Sequence, residues 1–174
     1  MFRNHPRGHR CPKGSNCLLT WLRTILLLRN PVSTPAITRT DFQQLADIRL
    51  KEAKALLDQG LWDGAYYLTG YAVEVALKAC IIKTLMATDA FPDKKFSERC
   101  YTHDIGDLVG LAGLKAAWTA ATAGDPDLSG NWGIAKEWSE HKRYHRITEA
   151  EAKGLYDAVS DATHGVLTWI KTQW

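Results

Sequence analysis

One short run of basic and imidazole side chains, HKRYHR at positions 141–146, is the part of this sequence best suited to chemistry. Arginine can bind phosphate oxygens through several N–H donors, and imidazole can exchange a proton near neutral pH. Arg143, His145 and Arg146 are therefore candidates for binding an anion or a nucleotide, with a structural or ion-pairing role as the alternative. Arg143 and His145 would be about 200° apart on a helix, so they could act together only if the segment is a loop.

A second group of candidates lies in the stretch AYYLTGYAVEVALKACIIK, which begins at Ala65. Tyr67, Tyr71, Glu74 and Lys78 are spaced by four, three and four residues, so they share one stripe of a helix. The rest of this helix is mostly apolar, which predicts a central position in a helical protein.

Two interpretations of the stripe stay open. Glu74 and Lys78 could form an ordinary ion pair one helical turn apart, at the edge of the core. Alternatively, the stripe faces a cleft or a dimer partner, because a buried charge without a partner is costly. In that second case Tyr71, Glu74 and Lys78 are candidate ligand-binding residues.

Metal and phosphate motifs are weak in this sequence. Cys100 and His103 have two residues between them, and His141 and His145 have three, which are spacings found in zinc sites. Neither pair contains the two cysteines of a zinc knuckle, so we predict no metal site and no cofactor. The segment GDPDLSG lacks the Lys and Ser or Thr of a phosphate-binding loop.

The charge of the chain is unevenly distributed. The formal net charge is +3, but seven Lys or Arg residues and no acidic residue precede Thr40. The remainder has fifteen basic against nineteen acidic residues. This mildly acidic balance argues against a broad nucleic-acid-binding face.

Residues 1–39 differ from the rest in charge and pattern, and we predict a poorly ordered basic leader. An export signal and an upstream artefact of the start site are the alternatives. The run CLLTWLRTILLL is interrupted by Arg23 and is too short to span a membrane. Because no pair of the four cysteines has a persuasive disulfide spacing, we expect a reducing, cytoplasmic location without membrane contact.

Residues 40–174 have helical periodicity and predict an all-α domain, an antiparallel bundle of four to five helices. Capping boxes are predicted at Thr40 and Thr148, and Gly60 is predicted to end the first helix. The loops FPDKK and GDPDLSG are predicted to separate the remaining helices. The predicted helices run from Thr40 to Gly60, from Trp62 to Leu85, from Thr102 or Asp104 through Ala121, from Trp132 to Trp138, and from Thr148 to Ile170.

Four parts of the sequence resemble the HEPN family. They are EAKALLDQGLWDGAYYLTGYAVEVALKA, YTHDIGDLVGLAGL, the RY of HKRYH and the final helix ending GVLTWI. The resemblance covers residues 41–174. It implies a small all-helical domain that often forms a homodimer. Prokaryotic members of this family include ribonuclease toxins, partners of small nucleotidyltransferases in toxin–antitoxin systems, and binding domains without known catalysis.

The ribonuclease branch of that family carries an Arg followed, after four to six residues, by a His near the start of a late helix. No His stands at that spacing after Arg143 or Arg146, and the match from Arg3 to His9 lies in the leader. We therefore predict no catalytic residues. A metal-independent ribonuclease that uses His145 in an altered geometry is the alternative.

The expected function is that of a non-catalytic HEPN-type module that binds a nucleotide or interacts with other proteins. The expected partners are a second copy of the chain and a nucleotidyltransferase, and the expected ligand is a nucleotide or RNA. The large aromatic residues Tyr71, Trp132, Trp138 and Trp169 favour self-association, because aromatic side chains are enriched at interfaces.

Overall fold

The computed structural model describes residues 36–88 and 90–174, and this part of the chain is all-helical, as predicted. It contains eight α-helices and one 3-10 helix where four to five helices are predicted, because long predicted helices are divided and short ones are added. The helices are α1 (Arg39–Asp58), α2 (Trp62–Thr88), α3 (Lys94–Arg99), α4 (Ile105–Leu111), α5 (Lys115–Gly124), α6 (Pro126–Ala135), the 3-10 helix (Glu140–Tyr144), α7 (Glu149–Ser160) and α8 (Val166–Lys171).

Helix α2 is the central element. It packs against α1, α4, the 3-10 helix, α7 and α8, and its contact with α1 is the most extensive. The six consecutive residues from Ala72 to Leu77 are all buried, so neighbours cover this part of the helix on every side. The central position predicted from the apolar pattern is therefore confirmed.

Helix α1 begins two residues earlier than predicted. Thr38, not Thr40, is the N-cap: the Asp41 backbone N–H donates to the Thr38 hydroxyl at 3.2 Å, and the Thr38 N–H donates to the Asp41 carboxylate at 2.8 Å. A carboxylate at the third helical position completes this capping box as a Glu would. At the other end Gly60 has φ +71°, and the Leu61 N–H donates to the Leu56 carbonyl, which ends the helix as predicted.

The middle of the chain is more finely divided than predicted. Helix α3 forms directly after the FPD turn, because the Asp93 carboxylate accepts from the Phe96 N–H at 2.7 Å. The single helix predicted through Ala121 is two, α4 and α5, separated at Gly113 with φ +71°. The predicted loop GDPDLSG contains the start of α6, with Asp125 as N-cap and Pro126 in the first turn.

The last predicted helix is also divided. The capping box of Thr148 and Glu151 is confirmed, but α7 ends at Ser160. The Asp161 carboxylate accepts from the N–H groups of Thr163 and His164, so these donors turn back locally and do not continue the helix. Helix α8 then begins after Gly165.

The predicted leader, residues 1–39, lies almost wholly outside the described residues, so its character stays a prediction. Residues 37–174 form one compact unit, which begins close to the predicted domain boundary at 40. None of the described helices combines the length and the apolar character that crossing a bilayer requires.

The tightest approach to α2 is made by Trp138, which is buried and lies against Gly70. A Cβ atom added to Gly70 would lie 2.2 Å from Cγ of the indole. Glycine at this position therefore allows the segment after α6 to pack directly on the backbone of the central helix.

We expect Gly70→Ala to lower the free energy of unfolding by about 1–3 kcal/mol, because Trp138 must move to admit a methyl group. Urea unfolding measures the change. Gly130→Ala in α6 is the matched control: no atom lies within 4 Å of its added Cβ. That variant should be neutral or more stable by about 0.5–1 kcal/mol. Equal destabilisation of both variants would contradict the close approach.

Candidate functional site

The stripe on α2 contains a buried charge. Glu74 is 1% exposed, and its carboxylate accepts from the Lys78 ammonium at 2.7 Å. Nδ1 of His103, in the turn between α3 and α4, lies 3.0 Å from each of its two oxygens. The predicted ion pair with Lys78 therefore forms, but in the core and with a third member that the sequence interpretation did not include.

The contacts of Glu74 also set the tautomer of His103. A carboxylate has no proton to donate, so Nδ1 must carry the hydrogen of this bond. The side chain of His103 is 44% exposed, and its Nε2 has no hydrogen-bond partner among the described residues. Histidine oriented in this way by a buried carboxylate can accept a proton or bind a ligand through Nε2.

The two tyrosines extend this stripe toward the start of α2. The rings of Tyr67 and Tyr71 are stacked with centroids 6.3 Å apart, and Tyr67 also contacts Trp138, with centroids 5.9 Å apart. Burial, together with the nearby charge of Glu74, raises the pKa of Tyr71, so its hydroxyl stays protonated. Both tyrosines are half-buried and packed, and a binding role for Tyr71 stays a prediction.

The basic segment, residues 141–146, covers most of the 3-10 helix and two extended residues after it. The Arg143 guanidinium lies 4.8 Å from the ring centroid of Tyr144. The hydroxyls of Tyr144 and Tyr67 beside it raise the pKa of Arg143. Nδ1 of His145 lies 3.1 Å from the backbone carbonyl of His141.

Arg146 points to the first turn of α2. It donates to the Asp63 carboxylate at 3.0 Å, and the adjacent Ile147 backbone N–H donates to the other oxygen at 2.7 Å. The Ile147 hydrogen bond, and then Arg146, hold the pKa of Asp63 below its usual value. Asp63 therefore fixes the end of the basic segment against α2.

The three candidate residues of the basic segment have separate partners within the chain. Arg143, His145 and Arg146 each contact a different partner, and within residues 36–88 and 90–174 no hydrogen bond joins any two of them. Arg146 instead lines a shallow pocket of about 300 Å³ with Ile147 and the residues around Trp62 at the start of α2.

A further group was missed at the sequence level. Asp125, Asp127 and His164 each offer a ligand atom, and these atoms lie within 4.8 Å of one another. GDPDLSG is predicted only to be a loop without a phosphate-binding motif, and His164 follows Asp127 by 37 positions. Acidic residues beside a turn are common, so no local signal could have identified the group.

The residues of the two zinc-like spacings make contacts of a different kind. His103 belongs to the Glu74 network, and His145 is bound to the backbone of its own turn. Among the described residues, neither pair belongs to a group of three potential metal ligands.

Over residues 36–88 and 90–174, these features define an all-helical fold with a buried ion-pair network on its central helix and a basic segment beside it. Comparisons with protein-family models, curated proteins and solved structures find no match. The resemblance to the HEPN family therefore stays a prediction.

We expect Glu74→Gln to lower the free energy of unfolding by about 1–3 kcal/mol, because the neutral amide removes the charge paired with Lys78 and places an NH2 donor where the second oxygen faces His103. Chemical denaturation measures the loss. Glu98→Gln is the control, since Glu98 is 66% exposed and lies 3.6 Å from Lys94. That exposed pair should contribute under about 0.5 kcal/mol. A similar loss in both variants would mean that the network contributes little.

The lowered pKa of Asp63 predicts a pH dependence. Asp63→Asn should lower the melting temperature at pH 7, because the charge that binds Arg146 and the Ile147 N–H is removed. A depressed carboxyl pKa stabilises the fold above the unfolded value of 3.8 and loses this effect as pH falls through the folded value. The difference between wild type and variant should therefore shrink below pH 3.8.

The control for this comparison is Asp157→Asn on the exposed face of α7, where the carboxylate makes no hydrogen bond to any described residue. The melting temperature of this variant should differ little from that of wild type, both at pH 7 and below pH 3.8. A difference for Asp63→Asn that is the same at both pH values would show that the charge of Asp63 is not the stabilising feature.

Proposed function

We propose that this protein is a non-catalytic HEPN-type module that binds a nucleotide or a similar anion at the start of α2. The observation that carries the proposal is the pocket of about 300 Å³ between the first turn of α2 and Arg146. The all-helical fold around a buried central helix supports the family resemblance.

Three features of the pocket favour a nucleotide. The first backbone N–H groups of a helix have no partner within the helix, and the helix dipole makes its N-terminus attractive to anions. The exposed guanidinium of Arg146 adds a full positive charge at the same place. The indole of Trp62 offers an aromatic surface on which a base can stack.

Two lysines add to this potential, and two acids oppose it, since Glu149 is paired with Lys153 and Asp63 with Arg146. Lys153 lies 5.9 Å from the ring centroid of Trp62, and Lys142 lies 5.9 Å from that of Tyr66. Asp63 partly neutralises Arg146. A phosphate entering the pocket would compete with the Asp63 carboxylate for the guanidinium.

The contacts of the basic segment support a non-catalytic role. Phosphodiester cleavage of the ribonuclease type needs a cation at the phosphate and an imidazole that moves a proton at the same site. Arg143 is beside Tyr144, Arg146 is bound to Asp63, and His145 contacts a backbone carbonyl. The alternative of an altered ribonuclease would require these groups to rearrange.

Homodimer formation and a nucleotidyltransferase partner, in the cytoplasm of a prokaryote, remain part of the proposal. The tryptophans that favoured self-association have partners within the chain: Trp132 and Trp169 each lie 4.6 Å from Trp118 between ring centroids, and Trp138 is buried. Among the large aromatic residues, Phe91, Tyr101 and Tyr144 are exposed and available for contact with a second copy.

Isothermal titration calorimetry with ATP tests whether the purified protein binds a nucleotide. Arg146→Ala should weaken binding by about tenfold or more, the loss of one charge-assisted contact. Asp63→Asn should strengthen it, since the amide oxygen still accepts from Ile147 while the competing charge is gone. Arg99→Ala, an exposed arginine at the end of α3, is the control and should bind like wild type.

Equal affinity for ATP in the Arg146→Ala, Asp63→Asn and wild-type proteins would refute nucleotide binding in this pocket.

Incubation of wild type, His145→Ala and His141→Ala with labelled RNA tests the ribonuclease alternative. Cleavage that disappears only with His145→Ala would replace the binding module with the enzyme, and we expect no cleavage by any of the three proteins.

A further inference from the structure

The backbone of His164, in the turn between α7 and α8, is fixed by hydrogen bonds at both its N–H and its carbonyl. The Asp161 carboxylate accepts from the N–H of His164 at 2.6 Å and from that of Thr163 at 2.8 Å. The Asn131 side chain, on α6, donates to the His164 carbonyl at 2.9 Å. A Cβ atom at Gly165 would lie 2.2 Å from the Asp161 carbonyl oxygen, so the chain closes tightly after His164.

The imidazole of His164 is oriented as well. Its Nδ1 lies 2.8 and 3.0 Å from the two carboxylate oxygens of Asp125. Asp125 is itself fixed, because it caps α6 and accepts from the Leu128 N–H at 2.9 Å. In the neutral ring, with Asp125 ionised, the ring hydrogen is on Nδ1 and Nε2 presents a lone pair. The hydrogen bond with Asp125 raises the pKa of His164, so a metal ion would compete with a proton for Nε2.

A second carboxylate, that of Asp127, lies near Nε2 but beyond hydrogen-bond distance. Nε2 of His164 lies 4.0 Å from Oδ2 of Asp127, which is too long for a hydrogen bond. Two atoms that bind the same tetrahedral zinc ion, each at about 2.0–2.2 Å, are separated by roughly 3.3–3.6 Å, so the Asp127 carboxylate would have to move slightly closer. Asp127 is 81% exposed and can adjust toward an ion.

We propose that His164 Nε2 and Asp127 bind a divalent transition-metal ion of the zinc type, with Asp125 as the carboxylate that orients the imidazole. Carboxylate–histidine–metal arrangements of this kind fix the ring and increase the basicity of the ligand nitrogen. The imidazole ligand favours zinc-like ions over Mg²⁺ and Ca²⁺, which take oxygen ligands. Water completes the coordination on the solvent side.

This site is separate from the nucleotide pocket, since the two share no residue. A bound ion would join the first turn of α6 to the turn between α7 and α8. Because the unfolded chain does not preserve this geometry, the metal would bind the native state preferentially and raise its stability.

Zinc titration of the full chain by calorimetry, paired with thermal unfolding, tests the site. The cysteines and histidines near the N-terminus can also bind zinc, so the decisive quantity is the difference between variants. Wild type should bind one equivalent more than Asp127→Asn and show a larger rise in melting temperature with zinc. Asp107→Asn is the control: this Asp is also exposed in the first turn of a helix, α4, but belongs to no group of potential ligands in the described part of the chain. It should behave like wild type.

Two further variants separate a metal site from an ion pair. His164→Gln should lose the same equivalent of zinc as Asp127→Asn, and Asp125→Asn should bind it about 10–100-fold more weakly, as expected for an orienting carboxylate. Melting temperatures without metal identify any variant that fails to fold, and Asp127→Asn, on the surface, should fold normally. The proposal is overturned if wild type and Asp127→Asn bind zinc equally, or if Ca²⁺ and Mg²⁺ bind at Asp127 as tightly as zinc.

Discussion

A carboxylate in the fully buried middle of the central helix is the constraint on which much of this structure depends. Helix α2 contacts five other elements, and Glu74 is only 1% exposed among them. An ionised group in that position is tolerated only if other groups supply hydrogen bonds and opposite charge. Lys78 supplies both from the next turn of the same helix, and His103 supplies a hydrogen bond from the turn that begins α4. The network therefore links the central helix to a segment distant in sequence.

Aspartates at helix starts make the other connections that position functional groups. Asp63 in the first turn of α2 binds Arg146 and the Ile147 backbone, and Asp125 at the start of α6 binds His164. In both cases an acid in the position that stabilises a helix N-terminus also binds a cation or imidazole from elsewhere in the chain. Both candidate binding sites, the pocket at α2 and the group at α6, are consequently located at helix starts.

Prediction from the sequence was most reliable for the central helix and least reliable for short elements. The all-α class, the start of α2 at Trp62, the end of α1 at Gly60 and the capping box at Thr148 are confirmed. Helix α3 and the first half of α6 were missed, because turn residues such as Asp93 and Asp125 also serve as N-caps. Of the candidate residues, Glu74 and Lys78 form the predicted pair, whereas Arg143, His145 and Arg146 have separate partners.

The sequence by itself determined what depends on periodicity and local capping: an all-helical chain, an apolar central helix, and an ion pair between residues one turn apart. These features require only residues within four positions of one another, and helix geometry fixes their relation. Only the tertiary structure decided that Glu74 is buried with His103, that Asp63 holds Arg146, and that His164 meets Asp125 and Asp127. These contacts join residues 29 to 83 positions apart, and such pairs come together only through the packing of whole helices.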